Sequence, residues 1–430
     1  MNMEVLSATD QKKEAFLNGM TSACESPLSA HFPQLREAAL NTLNELEIPT
    51  TRNENWKYTR VTRITGKTWK TGNPINQSSD FEIAGVDGWK IVFINGVFDA
   101  EKSELPTVNG LTVMTMKAAA EQGKLDAQFA SLTKQDSDWF EASNLAYATD
   151  GVYIHLAAKE QVEKPIYIVH LIEGQEVAVV SRNLISVERG AKMTVIQHST
   201  APKGTIGYAN IANEFFVGEN AEFHFEKIQD ESGEVYEIAT EWAHQARDSR
   251  FDIRTITLQG HWVRNNLNIA VNGENCSTNL YGSYMPNGKE HIDNHTVVDH
   301  LISHCESNEV YKGIVNDKAT GVFNGKVFVR PDAQKTNAFQ QNANIVLTNE
   351  AEMYSKPELE IYADDVKCSH GSTTGQFDEE ALYYLRARGI SESSARMLLV
   401  RAFVGDIMDA ISNDAVREHC LAKLEERASA

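Results

Sequence analysis

The feature that most narrows the possible folds is a run of strands with no crossover helix between them. It begins near Val152 and continues for roughly two hundred residues. Within it Ile166, Ile168, His170 and Ile172 alternate with Tyr167, Val169 and Leu171, so both faces are largely apolar, as in a sheet covered on both sides. What recurs is a turn, a small residue and an alternating strand. Gly190-Ala191 precedes Met193 and Val195, Asn220-Ala221 precedes Phe223 and Phe225, and Asn275-Cys276 precedes Leu280. Lys318-Ala319 and Glu350-Ala351 open two more, before Val322 and Met353. The intervals, roughly 30 to 55 residues, make this a degenerate repeat. A β-sandwich would show turn signals every 8 to 12 residues or so. The pattern predicts a β-solenoid, whose coils bury their inward side chains only by stacking on one another.

The expected chain is therefore mainly β: a β-solenoid core over 151–375, an N-terminal helical and mixed α/β region over 1–150, and a C-terminal helical region over 376–430. Phe16 to Met20, then Leu35, Ala38, Ala39, Leu43 and Leu46, recur at helical spacing. PTTRNENWKYTRV, from Pro49 to Val61, reads as a linker with an exposed Trp56 and Tyr58. Trp89 to Phe98 reads as a hairpin about Asn95-Gly96, and Leu111 to Phe140 as mixed and largely helical. Gly66-Lys67-Thr68 resembles the end of a phosphate-binding loop, but Val61 stands where that loop needs glycine.

Past Asp378 the period becomes helical. Asp378 and Ser391 are N-caps, Gly389 is a stop, and Asn413 or Asp414 begins a third helix. Met397, Val400, Val404, Met408 and Ile411 form one stripe, which Leu399, Phe403 and Ile407 widen. So broad an apolar face packs on an end of the solenoid or docks a partner.

Two stretches carry metal-binding residue types. Cys368 and His370 form Cys-x-His on an extended segment, which puts both on one face within reach of a soft metal. Two ligands are too few for a closed site. The second stretch holds His291, His295, His300, His304 and Cys305. On a helix its spacings of four would suit zinc. Thr296, Val297 and Val298 favour strand, where residues four apart lie roughly 13 Å from each other, so hydrogen-bonded structural imidazoles are expected.

Lys plus Arg number 40 against 60 Asp plus Glu, a net charge of −20. That balance disfavours nucleic acid and anionic membrane as partners. Five scattered cysteines do not form a disulfide framework, and a cytoplasmic location is expected.

The run LEIYADDVKCSHGSTTGQFDEEALYYLRARGI, followed by ARMLLVRAF, resembles the C-terminal motif of the SufB/SufD family, scaffold subunits of the SUF iron–sulfur cluster assembly machinery. PTTRNENWKYTRV and HIDNHTVVDHLISHCESNEVYKGI resemble the same family. Cys368-Ser369-His370-Gly371, where SufB has a Glu-His-Glu style motif, places the resemblance on the SufD branch; Ser372-Thr373 departs from the usual Ala-Thr. The resemblance implies a right-handed parallel β-helix, pairing with SufB, and binding of the ATPase SufC through the C-terminal helices. Asp378, Arg386, Met397, Val400, Phe403 and Val404 are the candidate docking residues there. It implies that His370, with Cys368 beside it, lies near the SufB–SufD interface and helps form a transient cluster shared with SufB. A reduced flavin belongs only to the assembled complex, and no flavin motif is present. In isolation a homodimer is expected.

The expected function is a non-enzymatic scaffold that couples SufC motion to cluster formation across a hinge at Gly371 to Gly375. The alternative is a β-helix polysaccharide lyase or hydrolase using carboxylates among Asp293, Asp299, Asp364 and Asp365. A third reading is a metal-storage or zinc-binding protein.

Overall fold

The computed structural model describes residues 8–72, 81–125, 128–133 and 136–429. Its centre is a pair of facing parallel sheets between which the chain alternates, forming a β-solenoid of about eight coils. One sheet runs through Val152–Leu156, Gln175–Val187, Ile206–Val217, Glu234–Gln245, Trp262–Val271, His291–His300 and Thr320–Val329 to Glu352–Ile361. The other runs through Trp89–Ile94, Ile166–Leu171, Lys192–Ala201, Glu222–Glu231, Arg250–Gln259, Ser277–Tyr284, Glu306–Val315 and Asn337–Val346 to Lys367–Gly375.

The repeat is more regular than the sequence intervals imply. In the second sheet Lys192, Glu222, Arg250, Ser277, Glu306, Asn337 and Lys367 stack in register, so successive coils are 27 to 31 residues long. The corner before each of the first six of these strands is a left-handed residue followed by a small buried one. Gly190, Asn220, Asp248, Asn275, His304 and Lys335 have φ between +55° and +67°. Ala191, Ala221, Ser249, Cys276, Cys305 and Thr336 follow them and are buried. Glycine, Asn and Asp enter the left-handed region at least cost, which is why they hold most of this column. Along it Gly190, Asn220 and Asp248 donate backbone N–H groups to Glu219, Arg247 and Glu274 of the next coil. The sequence intervals were uneven because Lys318-Ala319 and Glu350-Ala351 belong to the opposite corner, and because polar Ser249 and Thr336 conceal two members of this one.

The interior is apolar on one side, where Phe215, Phe223, Phe225 and Phe251 interleave, and polar on the other. On the polar side Asn183 donates to Asn213 (2.8 Å), Asn213 to Glu241 (3.2 Å) and Lys227 to Glu241 (2.7 Å). Such a column is tolerable because each coil supplies partners for the next.

Helices Ala8–Ala23, Pro33–Glu45 and Trp139–Tyr147 cover the outer face of the first sheet, packing on Tyr208, Tyr236, Ile238 and Trp262. The buried Arg182–Glu214 pair, 2.8 Å, lies under this cover, and Arg182 also donates to Asn144. Trp56 was expected to be exposed. It is buried, with its ring against Phe140 and the Arg264 guanidinium. The N-terminal boundary is also not clean: Trp89–Ile94 pairs in parallel with Ile166–Leu171, so the second sheet begins well before residue 151. The hairpin at Asn95-Gly96 forms as expected.

Helices Glu392–Asp409 and Asp414–Ser429 pack on the outer flank of the second sheet, where Val400, Val404, Ile407, Met408 and Ile411 meet Ile196, Ile228 and Ile256, and helix Glu379–Ala387 packs on Glu392–Asp409. They cover the side of the solenoid, leaving its last coil open. Among the described residues no helix is long and apolar enough to cross a membrane.

Candidate functional site

Lys367–Gly375 is the last strand of the second sheet and has a neighbour on one edge alone. Its register puts Cys368 beside Ala338, His370 beside Gln340 and Ser372 beside Asn342. Ala338, Gln340 and Asn342 are buried side chains of the solenoid interior. Cys368 and His370 therefore share a face, as the Cys-x-His spacing predicts, and that face is the interior one. Because no coil stacks beyond, His370 is exposed and Cys368 half-buried against the apolar cluster around Ala338. That burial raises the Cys368 thiol above its ordinary value.

The turn into this strand is held by the Lys335–Asp365 ion pair and by Gln334, whose side-chain oxygen accepts the Asp365 N–H at 2.9 Å. The strand bounds a cavity of about 440 Å³ whose lining includes Glu309, Phe339, Gln340, Asn342 and His370. Exposed Phe339, Ile361 and Tyr362 ring the same end. Added side-chain carbons at Gly371 and Gly375 would meet open space, and both glycines lie within the strand, paired with Gln341 and Ile345, so the segment expected to be a hinge is strand here.

Behind His370 the polar side of the interior continues inward. Gln340 donates to Glu309 at 2.8 Å, and Thr296 donates to the other Glu309 oxygen at 2.5 Å from across the coil. Burial pushes the Glu309 carboxyl up to about 7. Ser355 donates to Asn342 and meets Ser372, both at 2.7 Å. Sequence reading missed Glu309 and Gln340, because a polar residue in a strand ordinarily faces water and only the coil register shows that these face inward.

The histidine-rich stretch is a strand, His291–His300, as its β-branched residues predict. Its imidazoles are structural. His291 meets Thr59 at 2.9 Å, His295 meets Asp293 at 3.1 Å and His300 meets Ser307 at 2.9 Å. These partners come from the N-terminal segment, the same strand and the facing sheet, rather than from neighbouring histidines along the stack. His304 is one of the left-handed corner residues, and Cys305 is its small buried follower. Among the described residues no three His, Cys, Asp or Glu side chains are placed to hold a metal ion. Cys368 and His370 thus offer half a ligand set at an open end.

The carboxylates considered for glycoside chemistry are scattered and mostly paired. Asp293 is bound to Arg264 at 2.6 Å, Asp299 to Arg330 at 2.7 Å, and Asp365 to Lys335. Asp293 and Asp299 are six residues apart on one strand, roughly 20 Å, beyond the reach of a carboxylate pair.

On the C-terminal helices Asp378 caps the first through the N–H groups of Glu380 and Ala381, and Arg386 is exposed on it. Val400 and Val404 are buried against the solenoid and Met397 and Phe403 half-buried, so the stripe serves the flank. Val400 and Val404 are not free for a partner. The exposed apolar surface of these helices is instead Tyr383, Tyr384 and Leu398.

Comparison with known proteins gives two family matches. The SUF system FeS cluster assembly, SufBD core domain model matches residues 170–403, and the SufBD protein N-terminal region model matches residues 10–168. An iron–sulfur cluster assembly SufBD family protein of Synechocystis is 31% identical over 393 residues, covering 87% of this chain and 86% of that protein. The iron–sulfur cluster assembly protein SufD of Escherichia coli is 29% identical over 399 residues, covering 90% of this chain and 91% of its own. SufD of Bacillus subtilis is 24% identical over 307 residues, 68% of either chain.

Proposed function

The chain belongs to the SufBD family of iron–sulfur cluster assembly proteins of the SUF system, and from that premise we propose that it is a non-enzymatic scaffold of the SufD kind, whose open solenoid end is closed by a SufB subunit. The observation that carries this reading is the interior face of the last coil, which presents Cys368 and His370 to solvent beside a free strand edge. A solenoid end left in this state exposes unpaired backbone and apolar side chains, and a second solenoid edge satisfies both. Ligands missing from this chain are then supplied across the junction. The cluster is cargo, made from iron and sulfide at the junction and passed on. His370 is the ligand contributed here and Cys368 a second candidate. Without SufB the same edge pairs two copies of this chain.

The C-terminal helices dock the ATPase SufC through Asp378, Arg386 and the exposed Tyr383, Tyr384 and Leu398, while the apolar stripe keeps the helices on the solenoid flank. Motion of the docked ATPase reaches the junction through the short link from Gln376 to Asp378 into the Gly371 to Gly375 end of the last strand. Flavin has no assigned residues on this chain.

The test is co-expression of the full chain with its SufB and SufC partners. His370→Ala is expected to leave the complex intact on gel filtration and to lower the cluster yield at least tenfold, read from visible absorbance and bound iron. An unchanged yield removes His370 from the mechanism. Failure of the wild-type chain to co-purify with SufB removes the scaffold reading itself.

A further inference from the structure

The residue in contact register with His370 on the preceding coil is Gln340, 3% exposed and pointing into the solenoid. Its amide has one hydrogen-bonding side committed: Nε2 donates to Glu309 at 2.8 Å. Glu309 is itself fixed by Thr296 at 2.5 Å from the facing sheet. The amide lies opposite Gly325, where an added side-chain carbon would stand 2.4 Å from Nε2, so a side chain at that position would displace it. With Nε2 held inward, the Gln340 carbonyl oxygen is left buried and without a hydrogen-bond partner among the protein groups. A buried acceptor of this kind costs roughly 1–3 kcal/mol unless something donates to it. The next coil on its face offers one side chain with a ring N–H, His370.

We infer that Gln340 is a positioning residue for His370: when a partner covers the open end, its carbonyl oxygen accepts one ring N–H of His370 and leaves the other ring nitrogen free to bind iron. This rests on the reading of His370 given above. The physical basis is general. A metal-binding histidine is held in one tautomer and one orientation by an acceptor on its second nitrogen, and loss of that acceptor costs roughly 10- to 100-fold in metal affinity or activity. Glu309 acts one step further back, by dictating which end of the Gln340 amide faces the histidine. No carboxylate has to move and no group has to change protonation for the arrangement to work.

The test uses the complex co-purified with SufB and SufC, labelled with 15N on histidine, and reads two quantities: the tautomer of His370 from its ring nitrogen shifts, and the cluster yield. In the wild type one tautomer is expected. Gln340→Leu, nearly equal in volume, is expected to keep the partners bound and the melting temperature within a few degrees, to mix the two tautomers, and to lower the yield about tenfold. Gln340→Glu combined with Glu309→Gln keeps an amide-to-carboxylate hydrogen bond between the two positions and an acceptor oxygen for His370, and is expected to retain a single tautomer and most of the yield; Gln340→Met replaces the leucine variant should that one not fold. A single unchanged tautomer in the leucine or methionine variant overturns the inference, as does equal loss in the apolar and glutamate variants, which marks a packing role. If His370→Ala leaves the yield unchanged while the apolar variant still mixes the tautomers, the positioning stands and the cluster-binding role of His370 falls.

Discussion

Cys368 and His370 are interior residues by register and surface residues by position, because their coil is the last and nothing stacks on it. The solenoid architecture turns this into a requirement for a partner. Among alternate residues of the last strand, the Lys367 N–H points back to Thr336, so those of Cys368, His370, Ser372 and Thr374 point outward along the free edge. Thr374→Pro removes one outward donor and no inward bond. It is expected to abolish pairing with SufB in pull-down while leaving the thermal unfolding of the isolated chain within a few degrees. Retained pairing would place the junction elsewhere.

A second prediction separates the two faces of the C-terminal helices. Tyr383 and Leu398 are exposed, whereas Val400 and Val404 are sealed against the solenoid. Tyr383→Glu combined with Leu398→Glu is expected to weaken SufC binding at least tenfold in titration calorimetry with unchanged circular dichroism. Val404→Ala should cost about 2–4 kcal/mol of stability through its cavity. If the exposed pair proves neutral for SufC, the docking face is wrong.

The N-terminal segment is tied to the solenoid by charge. Arg264 pairs with Asp293 at 2.6 Å, both nearly inaccessible, and Thr59 of the N-terminal segment donates to the same carboxylate at 2.5 Å. Asp293→Ala leaves the Arg264 charge buried, which costs roughly 3–5 kcal/mol. The Asp293 carboxyl, although opposed by burial, is held well below its ordinary value by the Arg264 charge and by His295. A depressed carboxyl stabilises the fold above the unfolded-state range and loses that effect as pH falls through the folded value. The difference between wild type and variant, from denaturant unfolding, is therefore expected to be full at pH 7 and to shrink below about pH 4. A difference independent of pH would contradict the ion pair.

How much of this was legible in the sequence depends on which face of a strand one asks about. The turn and small-residue signal identified the solenoid, since Gly190-Ala191 and Asn220-Ala221 are corners. The period was blurred because Ser249 and Thr336 do the work of alanine. Cys368 and His370 could be put on one face by spacing alone. That the face is the inner one could not, because the interior here is part polar and breaks the usual link between polarity and water. The apolar stripe through Val400 and Val404 was also legible, but a stripe does not say whether it meets the solenoid's side or its end. Trp56 was misread for a related reason: its polar neighbours in sequence resemble a linker, while Arg264 and Phe140, which cover it, are far away along the chain.

The corner column makes a prediction of its own. His304 sits at φ +62°, a region that costs a residue with a β-carbon roughly 1–2 kcal/mol. His304→Gly is expected to stabilise the chain by about 0.5–1 kcal/mol, net of the added freedom of the unfolded state, and His304→Val to destabilise it. Were His304 a metal ligand, the glycine variant would lose bound metal. Denaturant midpoints and metal content after gel filtration distinguish the two.

The last prediction concerns His170. Both ring nitrogens are buried without a protein partner, and the ring stacks on Phe93 with centroids 5.4 Å apart. Burial pushes its pKa down to about 4, against roughly 6.5 for a free imidazole. The folded state therefore requires a neutral ring, while the unfolded chain takes up a proton as pH falls below about 6.5, so stability is lost between that value and the folded one. His170→Leu removes the proton uptake along with the unpaired nitrogens. Its stabilisation relative to wild type is expected to be about 2 kcal/mol larger at pH 5 than at pH 8. An equal effect at the two pH values would mean that His170 is solvated or hydrogen-bonded in solution. In that case the apolar variant would lose stability at neutral pH as well, because it would delete a satisfied polar contact rather than relieve an unsatisfied one.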